Sequence, residues 1–168
     1  KAYDRAASGI GEEVLKDEDK DILVYVIQFA SGYKIKALSS NPSNLRGMQG
    51  NVIIDEAAFQ KDLAAVLKAA LALTMWGSKV RLISTHNGIE NLFNTIITDS
   101  RAGKKRYSVH RIDIELAISE GLYRRICQVT KKPWSPEAEA EWLANLLSDT
   151  ATEEDAREEY YCEPKNGG

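Results

Sequence analysis

The chain has 168 residues, of which 43% are hydrophobic; that is enough for a sizeable core, excludes wholesale disorder, and fits one domain or one domain with a tail. Twenty-two basic residues stand against 25 acidic ones, a net charge of −3, so the chain as a whole is not a basic nucleic-acid binder, although a local basic patch is compatible with it. The longest apolar stretch, Leu63 to Trp76, is interrupted by Lys68 and is too short to span a bilayer, and there is neither a signal peptide nor a lipidation motif. Cys127 and Cys162 are the only cysteines and stand far apart, so neither a disulfide framework nor a zinc site is expected, and a cytoplasmic location is the default. The sequence opens on Lys1 rather than Met, which leads us to expect a piece of a longer protein.

Taken in chain order, residues 1–21 are polar and read as a frayed helix or lead-in. Ile22 to Phe29 is β-branched and aromatic, Ala30-Ser31-Gly32 is a turn, and Tyr33 to Ser40 alternates, so a hairpin is expected. Asn41 to Gly50 is a loop by composition, and Asn51 to Asp55 is a buried strand ending in a carboxylate. From Ala57 to Trp76 the residues favour helix, with an apolar face from Leu63 to Leu73 and Gly77 as the stop. Val80 to Thr85 is a strand, His86-Asn87-Gly88 a turn, and Ile89 to Ser100 an amphipathic helix. Arg101 to Arg106 is a basic turn, Tyr107 to Ile114 a weaker strand, and a helix from Asp113 or Ile114 ends near Gly121. Ser135 caps a helix running to about Leu147, with Pro136 at its first position; Thr152 caps a last acidic helix. The strand–helix alternation over residues 51–121 indicates an α/β parallel sheet.

Two strand ends carry the chemistry. Asp55 and Glu56 follow Val52-Ile53-Ile54 directly. In open α/β sheets ligands sit at the carboxyl ends of strands, where an Asp can hold Mg²⁺ and the adjacent Glu can polarise an attacking water, as in the Walker B strand of nucleotide hydrolases. The plainer explanation is a pair of acids starting a helix, where they favour the dipole. One helix later, Ser84-Thr85-His86-Asn87 ends the next strand, placing hydroxyls and an amide at the same crevice, where they could sense a γ-phosphate. Here the plainer explanation is a turn at Asn87-Gly88.

Leu45-Arg46-Gly47, Val52 to Phe59 (VIIDEAAF) and Ile83 to Gly88 (ISTHNG), taken together and in order, resemble the ATPase domain of large terminase subunits of tailed bacteriophages, those of Mu-like phages and prophages above all. The resemblance covers residues 22–164 and includes Arg157 to Pro164 (REEYYCEP), similar to the segment that closes the ATPase domain ahead of a nuclease domain. It implies an α/β domain of the P-loop NTPase type, additional-strand class, with a mostly parallel sheet flanked by helices. Residues 1–21 would be a polar lead-in, 22–148 a partial ATPase domain, and 149–168 an acidic helix and linker. The implied function is ATP hydrolysis, with Mg²⁺ and ATP as cofactors, driving double-stranded DNA into a procapsid.

By the same resemblance Asp55 is the Mg²⁺ ligand and Glu56 the catalytic glutamate. Ser84, Thr85 and His86 form the motif that senses nucleotide and couples hydrolysis to movement, and Arg46 is an arginine finger toward a neighbouring subunit's nucleotide. The implied partners are double-stranded DNA, the portal protein, the small terminase subunit and further copies of the chain, in the bacterial host cytoplasm and without a membrane. Arg46 is otherwise a loop charge or a local salt bridge. The sequence departs from the family at one point: it contains no G-x-x-x-x-G-K-[ST], since Gly9 and Gly11 are not followed by Lys-Ser or Lys-Thr, and Gly103-Lys104-Lys105 lacks the upstream Gly and the hydroxyl. The phosphate loop is therefore expected before Lys1, the fold is cut before the phosphate-loop strand, and the fragment alone is expected to be inactive.

Residues 101–132 hold nine basic and three acidic residues, a phosphate-binding charge in principle but more simply a solvated face. His86 and His110 are too isolated for zinc, and Trp76, Trp134 and Trp142 read as packing residues. Two other readings stay open. Asp55-Glu56-Ala57-Ala58 is similar to the DEAD/DEAH box of a superfamily 2 helicase, with Ser84-Thr85 as its S-A-T motif; a non-catalytic interaction module could also keep the sheet without the phosphate loop.

Overall fold

β-Branched residues mark three of the five strands among the described residues, Lys20–Phe29, Val52–Asp55 and Val80–Ile83, and side-chain caps start five of the six α-helices there. The computed structural model describes residues 7–17 and 20–166. These residues fall into two units: the first takes the chain up to Ile54 and again from Asp62 to Arg81, and the second takes Asp55–Lys61 and everything from Leu82 onward.

In the first unit, β1 (Ala7–Asp17), β2 (Lys20–Phe29) and β3 (Lys34–Ala37) form an antiparallel sheet in that order. β1 pairs with β2 from Asp17 opposite Lys20 to Ala7 opposite Phe29, with an irregularity between Ala7 and Gly9. The expected helix or lead-in is thus corrected to an edge strand over Ala7–Asp17; residues 1–6, 18 and 19 lie outside the described residues. Its polar composition misled because an antiparallel ladder is built from backbone groups, and polar side chains suit an edge strand. The β2–β3 hairpin forms as expected, with Ile27 opposite Ile35, and Val24 and Val26 are buried while Tyr25 between them is exposed.

β4 (Val52–Asp55) and β5 (Val80–Ile83) form a second, two-stranded sheet. The amide of Val52 donates to the carbonyl of Lys79 at 2.9 Å, and the Asn51 side chain accepts from the amide of Lys79 at 2.9 Å. Both bonds tie the starts of the two strands together, so the strands run parallel. The α/β class holds. The expected mostly parallel sheet is not what forms among the described residues, where three of the five strands belong to the antiparallel sheet.

Between β4 and β5 runs α1 (Leu63–Leu73). Leu63, Val66, Leu67 and Ala70 are buried at helical spacing, and Asp62 caps the first turn by accepting from the amide of Ala65 at 3.0 Å. A 3-10 turn, Thr74–Trp76, ends at Gly77 with φ 87°, a left-handed stop that glycine takes without strain. The continuous helix expected from Ala57 is corrected: Ala57–Phe59 is a separate 3-10 turn, and Gln60 is extended. Trp76, expected to pack on the sheet, is 77% exposed.

The second unit is helical apart from the strand ends. It holds α2 (Leu92–Arg101), α3 (Ile114–Ser119), α4 (Leu122–Thr130), α5 (Pro136–Ser148) and α6 (Glu153–Tyr161). Asn91, Asp113, Ser135 and Thr152 cap four of them through side-chain oxygens, as expected for the last two. Residues 106–113 form neither helix nor strand, which corrects the weak strand at Tyr107 to Ile114. The alternation that suggested it persists as the half-burial of Tyr107 and Val109 between exposed neighbours, since a period of two marks an extended chain and not a ladder. Trp142 stacks on Tyr123 at 5.0 Å, and the Arg124 guanidinium lies 3.8 Å over the ring of Trp134, whose indole N–H donates to Glu139 at 3.0 Å.

Replacing Asp62 with Ala removes the α1 cap and is expected to cost about 1 kcal/mol in urea denaturation, while Asp62→Asn, which keeps an acceptor, retains most of that stability.

Candidate functional site

Asp55 is the last residue of β4, and its exposed carboxylate is shaped by its immediate neighbours. One oxygen accepts from the amide of Glu56 at 3.1 Å, and the Asp55 carbonyl accepts from the Gln60 side-chain amide at 2.7 Å. Glu56 then adopts φ 49° and ψ 45°. Among the described residues two other non-glycine residues are left-handed, Lys131 and Cys162, and both terminate helices, where that conformation is the usual cap. Glu56 follows a strand. Left-handed backbone there costs roughly 1–2 kcal/mol for a residue with a Cβ, so the surrounding contacts must impose it.

Those contacts come from the end of β5. The Ser84 hydroxyl accepts from the amide of Ala58 at 3.1 Å, and the side-chain amides of Asn91 and Asn87 donate to the Ala58 carbonyl at 2.7 and 3.3 Å. This also explains why no helix starts at Ala57. In a helix the Ala58 carbonyl would accept from the amide of Asp62; here it is already engaged. The loops that follow the two parallel strands are therefore joined, and Asp55, Glu56 and Ser84 lie at one end of the strand pair, as the sequence pattern leads one to expect. Thr85 is half-buried beside them in the chain.

His86 is buried, with its ring 5.7 Å from that of Phe93 and its Nδ1 without a hydrogen-bond partner among the described residues. Burial pushes its pKa below the ordinary histidine value; Glu158 opposes this, and Arg101 and Arg111 add to it. Beyond His86, the loop is held by the chain's tail. One oxygen of the Glu158 carboxylate accepts from the amides of Gly88 at 2.7 Å and Lys165 at 2.9 Å, and the amide of Ile89 donates to the Lys165 carbonyl at 2.9 Å. The tail, read from sequence as a helix leading into a linker, returns to this loop, and neither Glu158 nor Asn91 stood out as a site residue in the sequence.

Arg46 belongs to the first unit, where it follows the 3-10 turn Pro42–Leu45 and precedes the left-handed Gly47. Its side chain is exposed and makes no ion pair among the described residues. That unit supplies no geometry relating Arg46 to Asp55.

Among the described residues no cluster of three His, Cys, Asp or Glu side chains could cage a metal. Mg²⁺ needs no such cage: it takes one or two carboxylates and fills the rest of its shell with water and phosphate oxygens. Asp55, exposed and with one oxygen outside any hydrogen bond among the described residues, fits that use.

Residues 15–168 match the protein family described as "Terminase large subunit, T4likevirus-type, N-terminal". The chain belongs to this terminase family. It is 71% identical over 163 residues to the "Mu-like prophage FluMu protein gp28" of Haemophilus influenzae, an alignment covering 97% of this chain and 32% of that protein. It is 57% identical over 166 residues to "Probable terminase, large subunit gp28" of Escherichia phage Mu, covering 97% of the chain and 30% of the relative. The terminase chain thus spans about a third of the length of these two relatives. No solved structure matches it significantly. Of the readings left open by the residues, the terminase one is the family that matches, ahead of a helicase. No helix among the described residues is long and apolar enough to cross a membrane.

The depressed pKa of His86 fixes a pH dependence of stability. The unfolded chain takes up a proton near pH 6.5, before the folded chain does, so stability is unaffected by His86 above that pH and falls as the pH drops from about 6.5 toward the lower folded value. Melting temperatures followed from pH 7.5 to 5.5 are expected to decline in the native chain and to flatten over that window in His86→Phe, which keeps the ring against Phe93.

Proposed function

We propose that this chain is part of the ATPase motor of a phage terminase that uses ATP hydrolysis to move double-stranded DNA into a procapsid. The observation that carries the reading is the join between the two strand ends. The turn that begins with Glu56 is hydrogen-bonded, through Ala58, to the loop containing Ser84, Asn87 and Asn91, within a chain of the terminase large-subunit family. A carboxylate that acts on water and a polar loop that follows the state of the nucleotide need such a mechanical link.

In this reading Glu56 orients or deprotonates the attacking water, and its exposed carboxylate is free to do so, with no hydrogen bond or ion pair to the described residues. Asp55 supplies a carboxylate oxygen to Mg²⁺, which when bound screens the charge of the phosphates. Ser84, Thr85 and His86 pass the change in the loop to the rest of the second unit, with Glu158 and Lys165 as the next contacts. Arg46, exposed and permanently charged, acts toward the nucleotide of a neighbouring copy. Portal protein and small subunit are the partners of the assembled motor. The chain contains no G-x-x-x-x-G-K-[ST], so the backbone cradle for the phosphates must come from outside these 168 residues.

In a full-length large subunit carrying this sequence, Glu56→Gln is expected to keep ATP binding and lower turnover by about 10²- to 10⁴-fold, the usual worth of a general base, while Asp55→Asn also weakens Mg²⁺-dependent binding. Equal turnover in wild type and Glu56→Gln would remove the catalytic role. The 168-residue chain alone is expected to release phosphate at background rate; turnover that Glu56→Gln abolishes would contradict this. For Arg46, mixing Arg46→Ala with Glu56→Gln subunits should restore some hydrolysis, because mixed interfaces pair an intact Glu56 with an intact Arg46. Mixtures that co-assemble yet stay inactive would return Arg46 to a loop charge.

A further inference from the structure

The Glu56 carboxylate has no side-chain partner among the described residues, so the fold constrains it at its backbone, which sets where the side chain leaves the turn. That backbone is left-handed and opens a 3-10 turn closed by two bonds, the amide of Phe59 to the carbonyl of Glu56 at 2.9 Å and the amide of Gln60 to that of Ala57 at 3.3 Å. The middle of the turn, Ala57 and Ala58, is buried. A buried peptide group must have its polar atoms satisfied. At Ala58 side chains of a single loop do this: Ser84 for the N–H, Asn91 and Asn87 for the carbonyl, with the Asn91 bond the shortest of the three at 2.7 Å.

Asn91 differs from the other two in being held at its far side as well. Its Oδ1 caps α2 by accepting from the amide of Phe93 at 2.9 Å, and Phe93 is buried. The acceptor end is fixed by the helix, so the donor end has one direction left to point, toward Ala58. We infer that Asn91 is a positioning residue for Glu56: it ties the first turn of α2 to the Ala58 peptide and so holds Glu56 in the strained conformation from which it acts on water. The inference rests on the reading of Glu56 as the water-activating carboxylate, and it assigns Asn91 a role beyond the helix cap that the structure shows.

The test separates the cap from the clamp. Asn91→Asp keeps an acceptor for the amide of Phe93, removes the donor, and sets a charge against the Ala58 carbonyl; Asn91→Ser also keeps a cap and cannot reach as a donor. In the full-length subunit both variants are expected to lower kcat by about 10- to 100-fold, the scale of a small misplacement of a catalytic group, with KM for ATP within about twofold and the melting temperature close to that of the wild type. Two results overturn the inference: wild-type kcat in both folded variants, or a loss of kcat that tracks a loss of melting temperature, including outright failure of both to fold, which would make Asn91 a cap and nothing more. Glu56→Gln run in parallel tells the two ideas apart. If it leaves turnover unchanged, the catalytic reading fails; if it abolishes turnover while Asn91→Asp does not lower kcat, only the positioning role fails.

Discussion

The Ala58 peptide is the constraint on which the second unit depends. It is buried in a turn too short to supply its own hydrogen bonds, and the nearest source of partners is the loop after β5. Satisfying it draws Ser84, Asn87 and Asn91 onto the turn, stops α1 from starting six residues earlier, at Ala57, and leaves Glu56 in a conformation that its own side chain disfavours. The backbone so held fixes where the Glu56 side chain leaves the turn, and its carboxylate has no partner among the described residues, which leaves its oxygens uncommitted.

A second layer surrounds that join. His86 turns inward against Phe93, the first buried residue of α2, while the next residues of the loop face the tail. Glu158 is one acid in an acidic helix, and one of its carboxylate oxygens takes the backbone amides of both Gly88 and Lys165. Lys165 is paired with Asp155 in the same helix, and Arg111 donates to the carbonyl of Tyr161, so the tail is held on several sides. The segment packs as a wall of the second unit.

Much of this was legible in the residues. The strand ending in Asp55, the strand ending before Ser84 and the capped helices at Ser135 and Thr152 follow from β-branched runs and cap chemistry, which act over a few residues. What could not be read depended on partners distant in sequence. β1 has polar residues and is a strand because β2 pairs with it; residues 106–113 have the strand pattern and lack the ladder. α4 carried its own clue in Tyr123, Ile126 and Cys127 at helical spacing, overlooked among the basic residues around it. The helix expected from Ile89 begins at Leu92, after the Asn91 cap, and nothing local tells which way the other half of that amide points.

The bond between Glu158 and the amide of Gly88 joins residues 70 positions apart. Ribosomal synthesis runs from the amino terminus, so the loop after β5 leaves the ribosome long before its partners exist. Until residues 158–165 emerge, the amides of Gly88 and Ile89 have only water to bond, and the segment that carries Ser84 and His86 lacks one of its walls. Closing a loop of that length is slow compared with forming the local helices between its ends. The contact of the tail with the loop after β5 is therefore made late, and a nascent chain arrested within α5 would carry Asp55 and Glu56 beside a loop that has not yet been anchored by the tail.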